Sequence, residues 1–353
     1  MGRHSATGYV PSSGQSGATG TASRKSAGRH AGGRSEHDVL TSLNRRMPRP
    51  PEGEVWSGDD TAVVAPPGSS QVTAAGYRLL LTADAVVAGI DADLSLTPLE
   101  DLGWKSMAVN LSDIAAMGGV PAHALVSVVG AGPEELDRLY EGILQAAAAF
   151  DCPVVGGDLS SGTELVVSVA LTGWVKGPPV LRSGAHPGDT IWVTGKLGSA
   201  AAGLRLLQRA GPPGLAGPHA WTDAERDLVS AHSRPRPALA EGATARESGA
   251  TAMIDVSDGL VADLSHIAVL SGVGFELRDV PVAGGATLPE ALGGGDDYVL
   301  AFSMPDRAGG GVGDAFRAAG LPPPYCVGTF VADRAQRSLA GRELEVTGWD
   351  HWL

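Results

Sequence analysis

The sequence predicts a two-domain α/β (α+β) protein, and three observations predict it. At 353 residues the chain is long enough to bury two separate cores. Apolar runs of strand length alternate with longer runs of helical period. A Pro/Gly-rich stretch at 176–189 (KGPPVLRSGAHPGD) interrupts that alternation near the middle. The expected divisions are a tail over 1–36, a first domain over 37–177 and a second over 178–353.

Residues 1–36 contain almost no large apolar side chain. Such a segment buries too little surface to offset its ordering entropy, so it is expected to be disordered. A first helix is expected just before Met47. Leu79-Leu80-Leu81 reads as a buried strand, Leu99 to Met117 as a helix and His123 to Val129 as a strand. Over 134–150 the residues Leu136, Leu139, Tyr140, Ile143, Leu144 and Ala147 recur at steps of three and four, which predicts a helix. A long strand follows at 165–175.

The second series opens with a strand at Thr190 (TIWVTG) and a small-residue helix from Ser199. Helical stretches at 221–232 and 236–247, a strand at 251–255 and a helix over 258–271 come next. Strands are expected near 273–279, 298–304 and 325–331, and the Gly/Pro-rich 210–220 should form a surface loop.

Composition excludes several function classes. Hydrophobic content of 43% and charged content of 18% describe a globular protein. Residues 1–46 hold seven Lys/Arg against Glu36 and Asp38, so the rest is more acidic than the net charge of −13 indicates. An acidic body lacks the basic face that nucleic acid needs, and suits the capture of divalent cations. Cys152 and Cys326 stand far apart with no CxxC, which argues against a disulfide framework or a zinc site and points to a reducing cytosol. No apolar run reaches membrane-spanning length.

The chemistry is carried by aspartates in short Gly- or Ser-flanked segments. These are Gly58-Asp59-Asp60, Thr82-Ala83-Asp84, Asn110-Leu111-Ser112-Asp113, Gly156-Gly157-Asp158 and Asp255-Val256-Ser257-Asp258. A carboxylate that closes a buried run is costly unless a cation compensates it. Several converging on one place require a divalent metal, and with Gly-rich turns they suggest phosphate handling. Ser106, Asn110 and Asp113 share one helical face, nearly uncharged, which favours a buried polar stripe with one carboxylate. Ser257 could serve as a helix N-cap with Asp258 in the first turn, a role compatible with phosphate binding. The Gly156-Gly157-Asp158 and 293–297 (GGGDD) segments read as tight turns. Arg182 in the junction is either a solvated linker charge or a bidentate phosphate contact. Neither GxxxxGK[ST] nor a GxGxxG after a first strand occurs, which disfavours P-loop and dinucleotide sites. The nine histidines form no HxH or HxxxH pair and read as surface or core residues.

Taken in order, the strings GDDTAVV (58–64), LTADAVVAG (81–89), GWKSMAVNLSDIAAMGG (103–119), VVGGD (154–158), LRSGAHPGD (181–189), IDVSDGL (254–260), GGGDDYVLAF (293–302) and GWDHW (348–352) resemble the thiamine-monophosphate kinase family. This is an ATP- and magnesium-dependent branch of the aminoimidazole ribonucleotide synthetase-like superfamily. The resemblance implies an N-terminal ATP-binding domain that dimerises through a shared barrel-like sheet, and a C-terminal α/β domain. It implies magnesium ligands at Asp60, Thr82, Asp84, Asp113, Asp158, Asp255 and Asp258, and ATP contacts at Gly157, Asp158, Arg182 and Ser257. The substrate side would be Asp91, Asp296, Val346 and Trp349. Here the chain departs from the family: Gly89-Ile90-Asp91 replaces a His-bearing segment, Asp296 replaces Glu, and Val346 replaces an aromatic residue.

The implied reaction is γ-phosphoryl transfer from ATP to thiamine monophosphate, in line and without a phosphoenzyme. The acceptor phosphate is already ionised, since a second phosphate pKa lies at about 6, so no general base is expected. Within the superfamily, a selenophosphate synthetase would need a reactive Cys before Cys152, and a hydrogenase-maturation dehydratase a Cys-bearing tail; the chain has neither. A paralogous kinase for another small acceptor, or a silent nucleotide-binding regulator, are the remaining alternatives.

Overall fold

The computed structural model describes residues 50, 54–56, 59–64, 76–211, 221–346 and 348. The tail over 1–36, the helix expected before Met47, most of the loop at 210–220 and Trp349 lie outside the described residues.

Two sheets organise the chain. The first carries β1 (Ala62–Val64), β2 (Tyr77–Val87), β3 (Val120–Val129), β4 (Val154–Ser160) and β5 (Val166–Lys176), in the order β1-β2-β5-β3-β4. All its pairs are antiparallel except β3 with β4. The pattern on β5 shows why these residues form a half-covered strand: Val167, Val169, Leu171 and Val175 are buried, while Ala170 and Trp174 face outward. Helices α1 (Leu99–Ala116) and α2 (Pro133–Ala149) cover the buried face, with Leu102, Met107, Leu111, Ile114, Leu139 and Ile143 filling the core. The other face is left open, with Leu81, Leu125, Trp174 and Tyr77 exposed among the described residues.

Helix α1 is buried nearly all round, beyond the one polar stripe its spacing predicts. The reason is its position between the two halves. Its last turn, Ala115 and Ala116, enters a second core with Met253, Leu300, Phe302 and Phe316. Leu111→Ala, at a position with no exposure, is expected to cost about 2–5 kcal/mol in denaturant unfolding. A loss below 1 kcal/mol would show that this helix does not carry the core.

The second sheet runs β12-β11-β8-β10-β6-β9-β7. Its strands are β6 (Thr190–Val193), β7 (Ala252–Asp255), β8 (Gly274–Leu277), β9 (Leu300–Met304), β10 (Tyr325–Val331), β11 (Arg337–Leu339) and β12 (Arg342–Glu343). Around it lie α3 (Ser199–Ala210), α4 (Asp223–Ser233), α5 (Leu239–Glu247), α6 (Leu260–Ser271), α7 (Leu288–Gly293) and α8 (Asp306–Ala318). Among the described residues no helix is long and apolar enough to cross a membrane.

Four local expectations are corrected. Gly156-Gly157-Asp158 is the middle of strand β4, not a turn. A Cβ at Gly157 would sit 1.8 Å from the Val126 carbonyl oxygen, so glycine here admits the neighbouring strand. Thr82-Ala83-Asp84 likewise lies inside β2 and does not close it. Helix α6 begins at Leu260 with Gly259 at its N-cap, so Ser257 is not the cap. Helices α7 and α8 and strands β11 and β12 appear where the sequence reading placed no such elements.

Candidate active site

Three elements deliver carboxylates to one point. Asp60 precedes β1, Asp113 lies in the penultimate turn of α1, and Asp255 ends β7. One carboxylate oxygen from each lies within 4.8 Å of the others. Asp60 and Asp255 are buried and Asp113 is half-buried. Thr82 donates its hydroxyl to Asp113 from β2, and Ser112 donates to Asp255 at 2.7 Å. Ser112 therefore ties the first half to the second at the cluster itself.

The cationic partner is Arg182. Its Nη2 and Nε donate to the two oxygens of Asp60 at 2.7 and 3.1 Å, and its backbone N–H donates to Asp59 at 3.0 Å. It is not a solvated linker charge. Burial would lower this guanidinium, but the charges of Asp60, Asp255 and Asp59 outweigh it and hold it above its ordinary value.

One arginine does not balance these acids. Burial, then the Asp60 charge, pushes the Asp255 carboxyl up to about 8. Burial, then Asp255 and Asp60, holds Asp113 well above the usual carboxylate range, with Asp84 adding to the effect. Burial and Asp60 raise Asp59 to about 7. An all-oxygen donor set with an excess of negative charge is what a hard divalent cation requires. The gathering of Asp60, Asp113 and Asp255 is therefore a candidate magnesium centre.

These shifts set a pH dependence. Raised native pKa values mean the native state holds protons that the unfolded chain releases above about pH 4. That stabilisation is lost as pH rises through about 7 for Asp59 and about 8 for Asp255. His232, lowered by burial to about 4, acts in the opposite sense, but only below its ordinary 6.5. The melting temperature in chelator is therefore expected to fall between about pH 6.5 and 8.5. A rise over that interval would contradict the assignment.

The other site residues are placed as follows. Asp84 is exposed on β2, on the same face as Thr82. Asp258 forms a second group with Asp263 and His266, again with ligand atoms within 4.8 Å. Asp263 accepts from the backbone N–H groups of Asp258 and Gly259 at 3.3 and 3.1 Å, and so shapes the 255–258 loop. The Ser257 carbonyl accepts from the Asp296 amide at 2.8 Å. A Cβ at Gly348 would meet the Asp258 carbonyl oxygen at 3.0 Å, so the C-terminal segment passes this loop.

Asp158 stands apart. It is exposed on edge strand β4, accepting from Ser160 at 2.9 Å. The register Asp84–Val169–Val126–Gly157 crosses three strand spacings, about 14 Å. Gly157 and Asp158 therefore lie across the sheet from the Asp60–Asp113–Asp255 centre. Asp91 accepts from the Val87 amide at 2.8 Å within its own turn. Val346 is exposed. Asp296 lies in a buried polar group with Lys105, His232 and Tyr298.

Sequence reasoning missed Ser112, Lys105, His232, Tyr298 and Asp263. The lone basic residue in the helical run 102–117 was a legible signal for one of them. The histidine reading held only along the chain, since His232 and His266 reach acidic groups through the fold.

Comparison with known proteins bears on the family. Residues 58–175 match the family model "AIR synthase related protein, N-terminal domain". The thiamine-monophosphate kinase of Bacillus subtilis (strain 168) is 34% identical over 75% of this chain and 82% of its own length. That of Salmonella typhimurium is 34% identical over 85% of this chain and 92% of its own length. The solved structure of AaThiL complexed with AMPPCP and TMP superimposes with a TM-score of 0.75 at 29% identity, covering 90% of this chain and 97% of that one. A likeness of 34% identity over three quarters or more of the chain, with the same fold, leaves one assignment: the chain belongs to the thiamine-monophosphate kinase family.

Proposed function

We infer that this chain transfers the γ-phosphoryl group of ATP to thiamine monophosphate, forming thiamine diphosphate and ADP. The observation that carries the reading is the convergence of Asp60, Asp113 and Asp255, from three separate elements, beside Arg182. An oxygen of the acceptor phosphate bonds to the γ-phosphorus while the bond to the β,γ-bridging oxygen breaks, and ADP leaves with that electron pair. The acceptor oxygen is ionised near neutral pH, so no side chain has to remove a proton. The obstacle is the mutual repulsion of two anions, which positioned cations must screen.

Magnesium suits the donor set, and Asp60, Thr82, Asp84, Asp113, Asp255 and Asp258 are proposed to hold it. When bound it neutralises charge on the phosphate oxygens. Asp158, on edge strand β4 three strands from Asp84, is proposed to hold a separate ion further along the nucleotide. Gly157, Arg182 and Ser257 are proposed to contact ATP. Arg182 holds both oxygens of Asp60 and aims that side chain at the centre. Asp91, Asp296, Val346 and Trp349 are proposed for the acceptor side.

The open face of the first sheet and the exposed edge strand β4, with Val155 and Leu159 uncovered, support a homodimer built on this half. The domains are divided at 177/178. Cys152 and Cys326, both free, suit a reducing cytoplasm.

The test is ADP release by the purified chain with ATP, Mg²⁺ and thiamine monophosphate. Release dependent on all three is expected. A second reading, a kinase for a different small acceptor, is favoured by Asp91 being spent on its own turn and by the aliphatic Val346. Release only with another acceptor would establish it, and ATP binding without release would indicate a regulator.

A further inference from the structure

Among the described residues helix α1 makes four side-chain polar contacts with the second half of the chain: Asp101 pairs with Arg234 and the Trp104 indole N–H donates to the Pro235 carbonyl in its first two turns, and two more reach the acidic loops. One of these two is Ser112 with Asp255 at the acidic centre. The other lies seven residues earlier, about 10 Å along the helix axis. There Lys105, with its side chain 5% exposed, places Nζ 2.6 Å from Oδ2 of Asp296. A buried ammonium requires such a partner.

The loop it grips is unusual in its backbone. Asp296 and Tyr298 both adopt left-handed conformations, with φ of 61° and 49°, although neither is glycine. Residues persist there only when their surroundings over-determine them, and such positions cluster at functional sites. The surroundings are visible. The Asp296 amide donates to the Ser257 carbonyl at 2.8 Å, and the Tyr298 amide donates to the Val256 carbonyl at 2.9 Å. The Tyr298 hydroxyl donates to Oδ1 of Asp296 at 3.0 Å. A Cβ at Gly295 would lie 2.6 Å from the Ser257 carbonyl oxygen, so the two loops lie directly against each other. His232 approaches Asp296 at 3.8 Å, but burial, and then the Lys105 charge, keep its pKa near 4 and the ring neutral. The charge compensating Asp296 near neutral pH is thus that of Lys105.

We propose that Lys105 is a positioning residue for the acceptor side of the reaction. Its ammonium fixes Asp296 and, through the paired loops 294–298 and 255–258, sets the register between the acceptor-side carboxylate and the nucleotide-side residues Ser257 and Asp258. The side chain of Asp296 remains 33% exposed, so the held carboxylate still presents an anionic surface to an acceptor bearing an organic cation. This inference rests on the reading of the chain as a thiamine-monophosphate kinase.

The test compares Lys105→Met, Asp296→Asn and the double variant with the unaltered chain, varying acceptor and ATP separately. Lys105→Met is expected to raise the KM for thiamine monophosphate at least about tenfold, with the KM for ATP within about twofold. The double variant should be no worse than Asp296→Asn alone, because Lys105 acts through that carboxylate. It also removes both charges together, which keeps the comparison available if Lys105→Met fails to fold. Amide hydrogen exchange supplies a readout independent of turnover. Exchange at Asp296 and Tyr298 should accelerate in Lys105→Met, or in the double variant, while the amides of Gly198 and Ala200, held by Asp297, are unchanged. An unchanged acceptor KM, additive losses in the double variant, or equal shifts in both KM values would overturn the proposal. If the unaltered chain does not phosphorylate thiamine monophosphate, the functional reading fails and exchange alone decides. Unaltered exchange in the two loops then overturns the positioning role as well.

Discussion

Asp113→Asn is expected to lower kcat/KM by about 10²–10³-fold while raising the melting temperature of the metal-free protein. The two effects have opposite sign for one reason. Burial and the charges of Asp255 and Asp60 already disfavour ionised Asp113, so a neutral amide of the same shape relieves repulsion within the apo fold. The amide oxygen can still accept the Thr82 hydroxyl. What it cannot supply is the negative charge that draws a divalent cation to this point. Loss of activity together with loss of stability would instead mark Asp113 as a packing residue. Retained activity would remove the acidic centre from the mechanism.

Arg182→Gln is expected to damage both properties. The Asp60 side chain is wholly buried and the Arg182 side chain 24% exposed. Removing one partner of a buried ion pair costs about 3–5 kcal/mol, and solvent access to the guanidinium places this variant in the lower part of that range. Asp59, whose carboxylate accepts from the Arg182 backbone, and Asp255 lose the same compensating charge. Lysine cannot restore the paired contacts of the guanidinium, so Arg182→Lys should recover stability only in part. The Arg182→Gln/Asp60→Asn double variant should be more stable than Arg182→Gln alone, measured by urea unfolding. A double variant that is less stable would mean the pair is not the reason for the loss.

Much of the fold was legible because period and burial coincide. The helices at Leu99–Ala116 and Pro133–Ala149 and the strand at Val166–Lys176 lie within a residue or so of their predicted spans. There the apolar spacing alone selects the element. Legibility failed where glycine has a tertiary purpose. Gly157 looks like turn punctuation, yet it sits in a strand because a side chain would strike the Val126 carbonyl. The 306–318 segment carries three consecutive glycines at 309–311, which depress helix propensity. It forms α8 because Phe316 stacks on Phe302, with ring centroids 6.2 Å apart.

The acidic centre followed a similar division. That Asp60, Asp113 and Asp255 were unusual could be read from their neighbours in sequence. That Asp158 would fall across the sheet could not, since strand order β1-β2-β5-β3-β4 decides it. Likewise Lys105 and Asp296, 191 positions apart, meet only through the packing of α1 against the second half.

The account turns on the buried aspartates acting together as one cation-binding centre. Its most direct test is anomalous diffraction from crystals grown with Mn²⁺ and a non-hydrolysable ATP analogue. A manganese peak is predicted at coordinating distance from Asp60, Asp113 and Asp255, beside the terminal phosphate. Ordered nucleotide with no metal peak at those three carboxylates would contradict it.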